Sequence, residues 1–154
     1  MTTLQKTQIK PTWSLEKVQE MSAKVLADTY MNVMPILEKS GHKEEFEKLN
    51  REEQVKYYRS LNVKNPLELL QAKAEFEANV WGSKIEVWGD EKEAHLKYLS
   101  CAMWDKMAEK MSEECMQKAG EGFQNCVSNF AKEFGYTGEV KFEGEKTAII
   151  TVRK

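Results

Sequence analysis

The chain has 154 residues, a hydrophobic fraction of 41% and a charged fraction of 31%, which fits one globular domain with a real core and excludes a disordered segment. Its formal net charge is −2, from 23 basic and 25 acidic residues spread along the chain, and only three of the basic residues are arginine. That balance argues against nucleic acid as a partner, and no apolar run reaches the length of a membrane span.

Residues 1–12 read as a polar N-terminal arm ending near Pro11, without the apolar stretch of a secretory signal. Ser14 has the chemistry of a helix N-cap. An apolar stripe follows at Leu15, Val18, Met21, Val25, Leu26, Tyr30, Val33, Met34 and Leu37, in steps of three and four. Pro35 inside this pattern predicts a kink or a new segment, and Gly41 a C-terminal stop. The charge-rich stretch 42–62 predicts one or two surface helices, with Asn50 and Glu53 at capping-box spacing to start the second. "NPLE" at 65–68 unites Asn at N-cap, Pro at N1 and Glu at N3, so a helix opens there and stops before Gly82.

After Gly82 the period changes to two. "KIEVW" (84–88) and "AHLKYLSC" (94–101) alternate around the loop "GDEKE", a β-hairpin pattern. "CAMWDKMAEKM" predicts a short helix. Ser112 then caps a long one, over 112–134, with Cys115, Ala119, Phe123, Cys126, Val127, Phe130 and Phe134 on one stripe and Gly135 at its end. "EVKFEGEKTAIITV" closes the chain as a second hairpin. The expected fold is a single α+β domain over 1–154: a helical N-terminal half, then a four-stranded antiparallel sheet from two hairpins, covered on one face by helices.

The cysteines carry the first question about chemistry. Three is an odd number without a CxxC pair, which suits reduced thiols in the cytoplasm rather than a disulfide framework. Cys115 falls at N3 of the long helix, where free N–H groups favour a thiolate, although Glu113 and Glu114 oppose it; as a small apolar residue it also fits the core stripe. Cys126 lies about 16 Å further along the same helix by its rise, too far to share a metal ion with Cys115, and reads as core. Cys101 ends a strand, a good position for a site, but His95 is about 20 Å away along that strand, so a Cys–Cys–His metal site is not expected. With two histidines in all, a histidine-rich metal centre is excluded. No metal is expected, and nothing in the residues identifies a cofactor.

Gly120 and Gly122 sit inside the long helix at about 0.8–1 kcal/mol each relative to alanine, which admits either a close neighbouring backbone or a flat ligand. Trp88, Tyr98, Trp104 and Phe123 gather in the same half of the chain and suit either a core or an apolar pocket.

The strand running into "LSCAMW", the helix opening at "SEEC" and the final hairpin together resemble the small-molecule-binding superfamily typified by the 4-vinyl-reductase domain. The L-2-amino-thiazoline-4-carboxylate hydrolase-like proteins are a similar group. The resemblance spans roughly residues 65–154, and Cys101, Trp104 and Cys115 are the matching positions. It implies helices packed on one antiparallel sheet, a homodimer, and an apolar or mixed pocket between helices and sheet. Many relatives carry a further cysteine in the last hairpin, which "FEGEKTAIITV" lacks.

The expected function is therefore a cytoplasmic ligand-binding or sensory domain. A small hydrophobic or aromatic molecule would lie between the helix 112–134 and the sheet, against Trp104, Tyr98, Gly120, Phe123 and Trp88. A hydrolase or redox enzyme using Cys115 and Cys101 is the alternative, and a non-catalytic protein-interaction subunit is a third reading.

Overall fold

A computed structural model describes residues 7–144 and 146–154. Five helices and four strands follow one another as α1 (Leu15–Ser40), α2 (Lys43–Ser60), α3 (Pro66–Trp81), β1 (Lys84–Gly89), β2 (Glu93–Ser100), α4 (Ala102–Ala108), α5 (Glu113–Glu133), β3 (Thr137–Phe142) and β4 (Ala148–Arg153). Of the polar arm read at 1–12, positions 1–6 lie outside the described residues, and 7–12 have no regular secondary structure.

The helix starts follow local chemistry. Ser14 accepts a hydrogen bond from the Lys17 N–H (3.2 Å), Asn65 from Glu68 (2.9 Å) and Ser112 from Cys115 (3.3 Å), each satisfying a donor that the first turn leaves open. Glu68 reaches back to the Lys64 N–H at 2.8 Å and completes the start of α3. At the other end of α1, Gly41 takes φ +77° and His42 N–H bonds the Leu37 carbonyl.

Two helix starts that the sequence offers, a new segment at Pro35 and a second helix at Asn50, are not formed. α1 passes through Pro35 as one helix, because its inner stripe continues on both sides of the proline and its packing outweighs one lost N–H bond. α2 likewise runs unbroken through Asn50. Val55 and Tyr58 are buried, and with Glu47 and Arg51 they continue one stripe across that position.

The strands form one antiparallel sheet in the order β1-β2-β4-β3, so the second strands of the two hairpins meet at its centre. Leu96 pairs with both Val87 and Ile150, and Ile150 with Val140, which places one inward-facing row across all four strands. The α+β architecture and the covered sheet face are as the sequence predicts. α3 packs over β1 and β2, and α5 over β3. Leu70, Ala94, Leu96, Val127, Ala131, Ile150 and Val152 make the main core between these helices and the sheet. A second cluster of Val55, Tyr58, Leu69 and Phe130 holds α2 against α3 and α5.

Gly138 sets how closely α5 approaches the sheet. A Cβ at this position would lie 2.7 Å from the Ala131 Cβ and 2.9 Å from the Val127 carbonyl oxygen. No helix among the described residues is long and apolar enough to cross a membrane.

Candidate functional site

α3 and α5 lie on the same sheet face but make little direct contact with one another, and α1 makes little with α5. Between them, above β2, the core changes from apolar to polar. Lys73 and Glu77 stand one turn apart on the inner face of α3, Lys73 Nζ 2.5 Å from Glu77 Oε1, with side chains only 20% and 5% exposed. Opposite charges at i and i+4 meet readily on a helix surface. Here the pair points into the core.

Three further groups crowd this ion pair. Burial opposes the charge on Lys73, but the adjoining Glu77 carboxylate, which also accepts its hydrogen bond, together with Tyr98 and Tyr58 outweighs it and holds the ammonium well above the usual lysine range. Tyr98, from β2, is pushed well above the usual phenol range, first by burial; Lys73 opposes the shift, and Glu77, which also accepts its hydrogen bond, adds to it. Burial also raises Tyr58, from α2, with Lys73 opposing the shift and Glu77 adding to it. Cys101, at the end of β2, has its thiol pushed up to about 11 by burial, with Glu77 adding to the shift and the backbone N–H of Trp104 and Lys73 opposing it.

α5 contributes Cys126 near this cluster. Sequence reasoning places this residue in the core; the structure gives it solvent-accessible surface instead. Desolvation nonetheless raises its thiol, with Lys73, Glu47 and Arg51 close enough to act on it. Tyr30 of α1 has its phenol raised by burial, by Glu47 and by Cys126, so it lies near both. The ion pair on α3, the Tyr98 phenol and the Cys101 thiol thus form a polar cluster in the helix–sheet interior, with Tyr58, Cys126 and Tyr30 around it.

A groove of about 670 Å³ runs between the N-terminal half of α5 and β3, with Trp104, Met116, Gly120, Gln124, Val140 and Phe142 along it. A Cβ at Gly120 would make ordinary van der Waals contact with the Phe142 ring at 3.5 Å. The Gln124 side chain accepts a hydrogen bond from the Val140 N–H at 2.7 Å and fastens the edge strand. Phe123 joins the two regions, its ring centroid 6.3 Å from that of Tyr98 and 6.4 Å from that of Phe142.

The residues singled out from the sequence therefore divide. Tyr98, Phe123 and Cys101 belong to the interior between α3 and α5, and Trp104 and Gly120 to the adjoining groove. Cys115 is exposed in the first turn of α5. Trp88 lies on the opposite face of the sheet, stacked on His95 at 5.2 Å. Strand alternation requires this, since Ile85 and Val87 are the β1 residues that pack on the core. Among the described residues, no three His, Cys, Asp or Glu side chains are placed to hold a metal ion.

Lys73, Glu77, Tyr30 and Tyr58 have no place in the sequence reading of the site. One signal was available. Pro66, Leu69 and Leu70 are buried on α3, and 73 and 77 continue their stripe, so two charges occupy positions where the pattern calls for apolar residues. No protein-family model matches the chain, and no curated protein is significantly similar to it.

Proposed function

We propose that this chain is a small-molecule-binding or sensory domain of the cytosol. Its ligand is a small, largely aromatic or apolar molecule with one polar end, held between α3 and α5 against the sheet. The observation that carries the reading is the Lys73–Glu77 ion pair, nearly buried within a hydrophobic core. Such a pair loses hydration that its mutual attraction only partly returns, and well-packed apolar residues commonly serve stability as well or better. Perturbed titratable groups gathered together are a mark of functional sites.

In this reading the Lys73 ammonium and the Glu77 carboxylate supply a donor and an acceptor side by side, and Tyr98 adds a hydroxyl. Phe123 offers the aromatic wall. The arrangement accords with the helix-to-sheet pocket that the 4-vinyl-reductase-like resemblance implies, and the three unpaired cysteines suit a reducing compartment. A thiol enzyme has less to draw on, because a Cys101 thiol at about 11 is a poor nucleophile at neutral pH.

The test is a thermal-shift and native mass-spectrometry screen of small aromatic acids, amides and phenols against the wild-type protein and Lys73→Met/Glu77→Leu. Bound compounds that raise the wild-type Tm and lose their effect in the folded double variant support the site. A screen without any stabilising compound, or one whose hits act equally on the double variant, removes it.

A further inference from the structure

The geometry points to α1 as a dimerisation helix: we propose that its outer face packs antiparallel against α1 of a second copy of this chain. The inner face of α1 is accounted for, with Ala23 and Ala27 fully buried within the protein. Its charged flank is engaged as well. Lys110 Nζ lies 2.8 Å from Asp28 and Lys106 Nζ 3.8 Å from Glu20, both bonds reaching across to the α4 segment.

The remaining face is apolar and open. Leu15, Val18, Val25 and Ile36 are between 44% and 69% exposed, and Trp13, beside them, is 60% exposed. A groove of about 570 Å³ runs along this face past Met21, Leu26 and Thr29. The five exposed side chains leave on the order of 500–600 Å² of surface, and with their half-buried neighbours they approach the roughly 800 Å² per partner of a standard interface.

The spacing identifies the occupant as a helix. Positions 15, 18, 22, 25, 29, 32 and 36 follow steps of three and four over three heptads, and none of the seven is charged. That is the a/d seam of a two-helix packing, extending about 30 Å at helical rise. The polar members, Ser22, Thr29 and Asn32, select the register. In an antiparallel pair centred at position 27, near the middle of the 26-residue helix, Ile36 meets the partner's Val18 and Asn32 meets the partner's Ser22. Thr29 meets the partner's Val25. Apolar thus faces apolar, polar faces polar, and a methyl-bearing threonine covers a valine. Shifting the centre by half a heptad toward the N-terminus pairs Leu15 with Asn32 and Ser22 with Val25, burying polar groups against apolar ones; the same shift toward the C-terminus matches Val25 with Ile36 and Thr29 with Asn32 but leaves Leu15 and Val18 beyond the partner helix. The same patch serves both copies, as a twofold interface requires, and the antiparallel direction sets the helix dipoles head to tail.

Sedimentation equilibrium on the full chain at about 100 μM, well above the micromolar Kd that such an interface supports, tests the proposal. The expected mass is twice the 17.8 kDa of one chain. Val18→Glu/Val25→Glu should return the monomer mass with unchanged circular dichroism and with the Tm that the wild type shows when diluted below its dimer Kd, since both positions are exposed within one copy. For the register, Val25→Cys and Thr29→Cys chains, each with Cys115 and Cys126 replaced by serine, should form a mixed disulfide on oxidation, while Thr29→Cys alone should not. A wild-type monomer, a dimer that survives the glutamate pair, or efficient Thr29→Cys self-crosslinking overturns it. So does a monomer that dimerises only after residues 1–12 are removed, which would make the arm the occupant of the face.

Discussion

α3 and α1 depart from the ordinary amphipathic helix in opposite directions. α3 turns an ion pair, Lys73–Glu77, toward the core, whereas α1 leaves Leu15, Val18, Val25 and Ile36 facing water. Each breaks the binary pattern that the rest of the chain obeys, and each break lies outside what the fold of one copy needs. Inward charge and outward hydrocarbon then have separate explanations, a ligand for the first and a partner helix for the second. The two departures separate by experiment.

The largest effect is expected inside. Glu77→Ala leaves Lys73 unpaired in the core and should cost about 3–5 kcal/mol in chemical denaturation, whereas Lys73→Met/Glu77→Leu should be neutral or stabilising. Equal losses in both variants would mean that the pair is needed for the fold, and the contrast with α1 would collapse.

Gly138→Val probes the sheet floor beneath α5. Its new side chain meets Ala131 and the Val127 carbonyl and should cost about 1–3 kcal/mol, read as a lower urea midpoint. A neutral result would show that α5 shifts freely on the sheet.

Alkaline pH sharpens the inner half of the comparison. Lys73 and Tyr98 have raised folded-state pKa values, so above about pH 10 the unfolded chain releases protons that the folded chain keeps. Their contributions are complete below that pH and are lost as it rises toward the folded values. The wild type should lose stability from pH 10 upward, and the slope should flatten when Lys73 and Glu77 are replaced.

Thiol reactivity gives a further contrast. Peptide mapping after brief iodoacetamide treatment at pH 8 should find Cys115 modified first and Cys101 last, with Cys101 reacting only as pH approaches its raised value of about 11. Rapid modification of Cys101 at pH 8 would instead revive a thiol enzyme. The smallest effect is on α1, where Val25→Glu should move the stability of the single copy by no more than about 0.5 kcal/mol.

Most of the architecture was legible because it is local. The caps at Ser14, Asn65 and Ser112, the change of period after Gly82 and the two hairpins need only neighbouring residues, and the sheet follows from joining them. What the residues alone did not reveal is which face a helix turns inward when both faces carry a plausible stripe. α1 reads as one broad apolar helix, and only packing shows that Ala23 and Ala27 face in while Val18 and Val25 face out. In α3, charges in an amphipathic helix suggest solvent, which hid Lys73 and Glu77. Trp88 was within reach, since strict alternation from Val87 already turns it away from α5. Asn50 misled because a capping spacing inside a continuous stripe is outweighed by burial of Val55 and Tyr58.

One contact on α5 has a consequence for how the protein survives at high concentration. β3 is an edge strand, and an edge with free backbone donors is a template on which a strand from another molecule can grow. Gln124 occupies the Val140 N–H in the middle of that edge. The side chain acts as a plug against fibril-like addition, so Gln124→Leu should aggregate on storage or gentle heating even where its unfolding midpoint is unchanged.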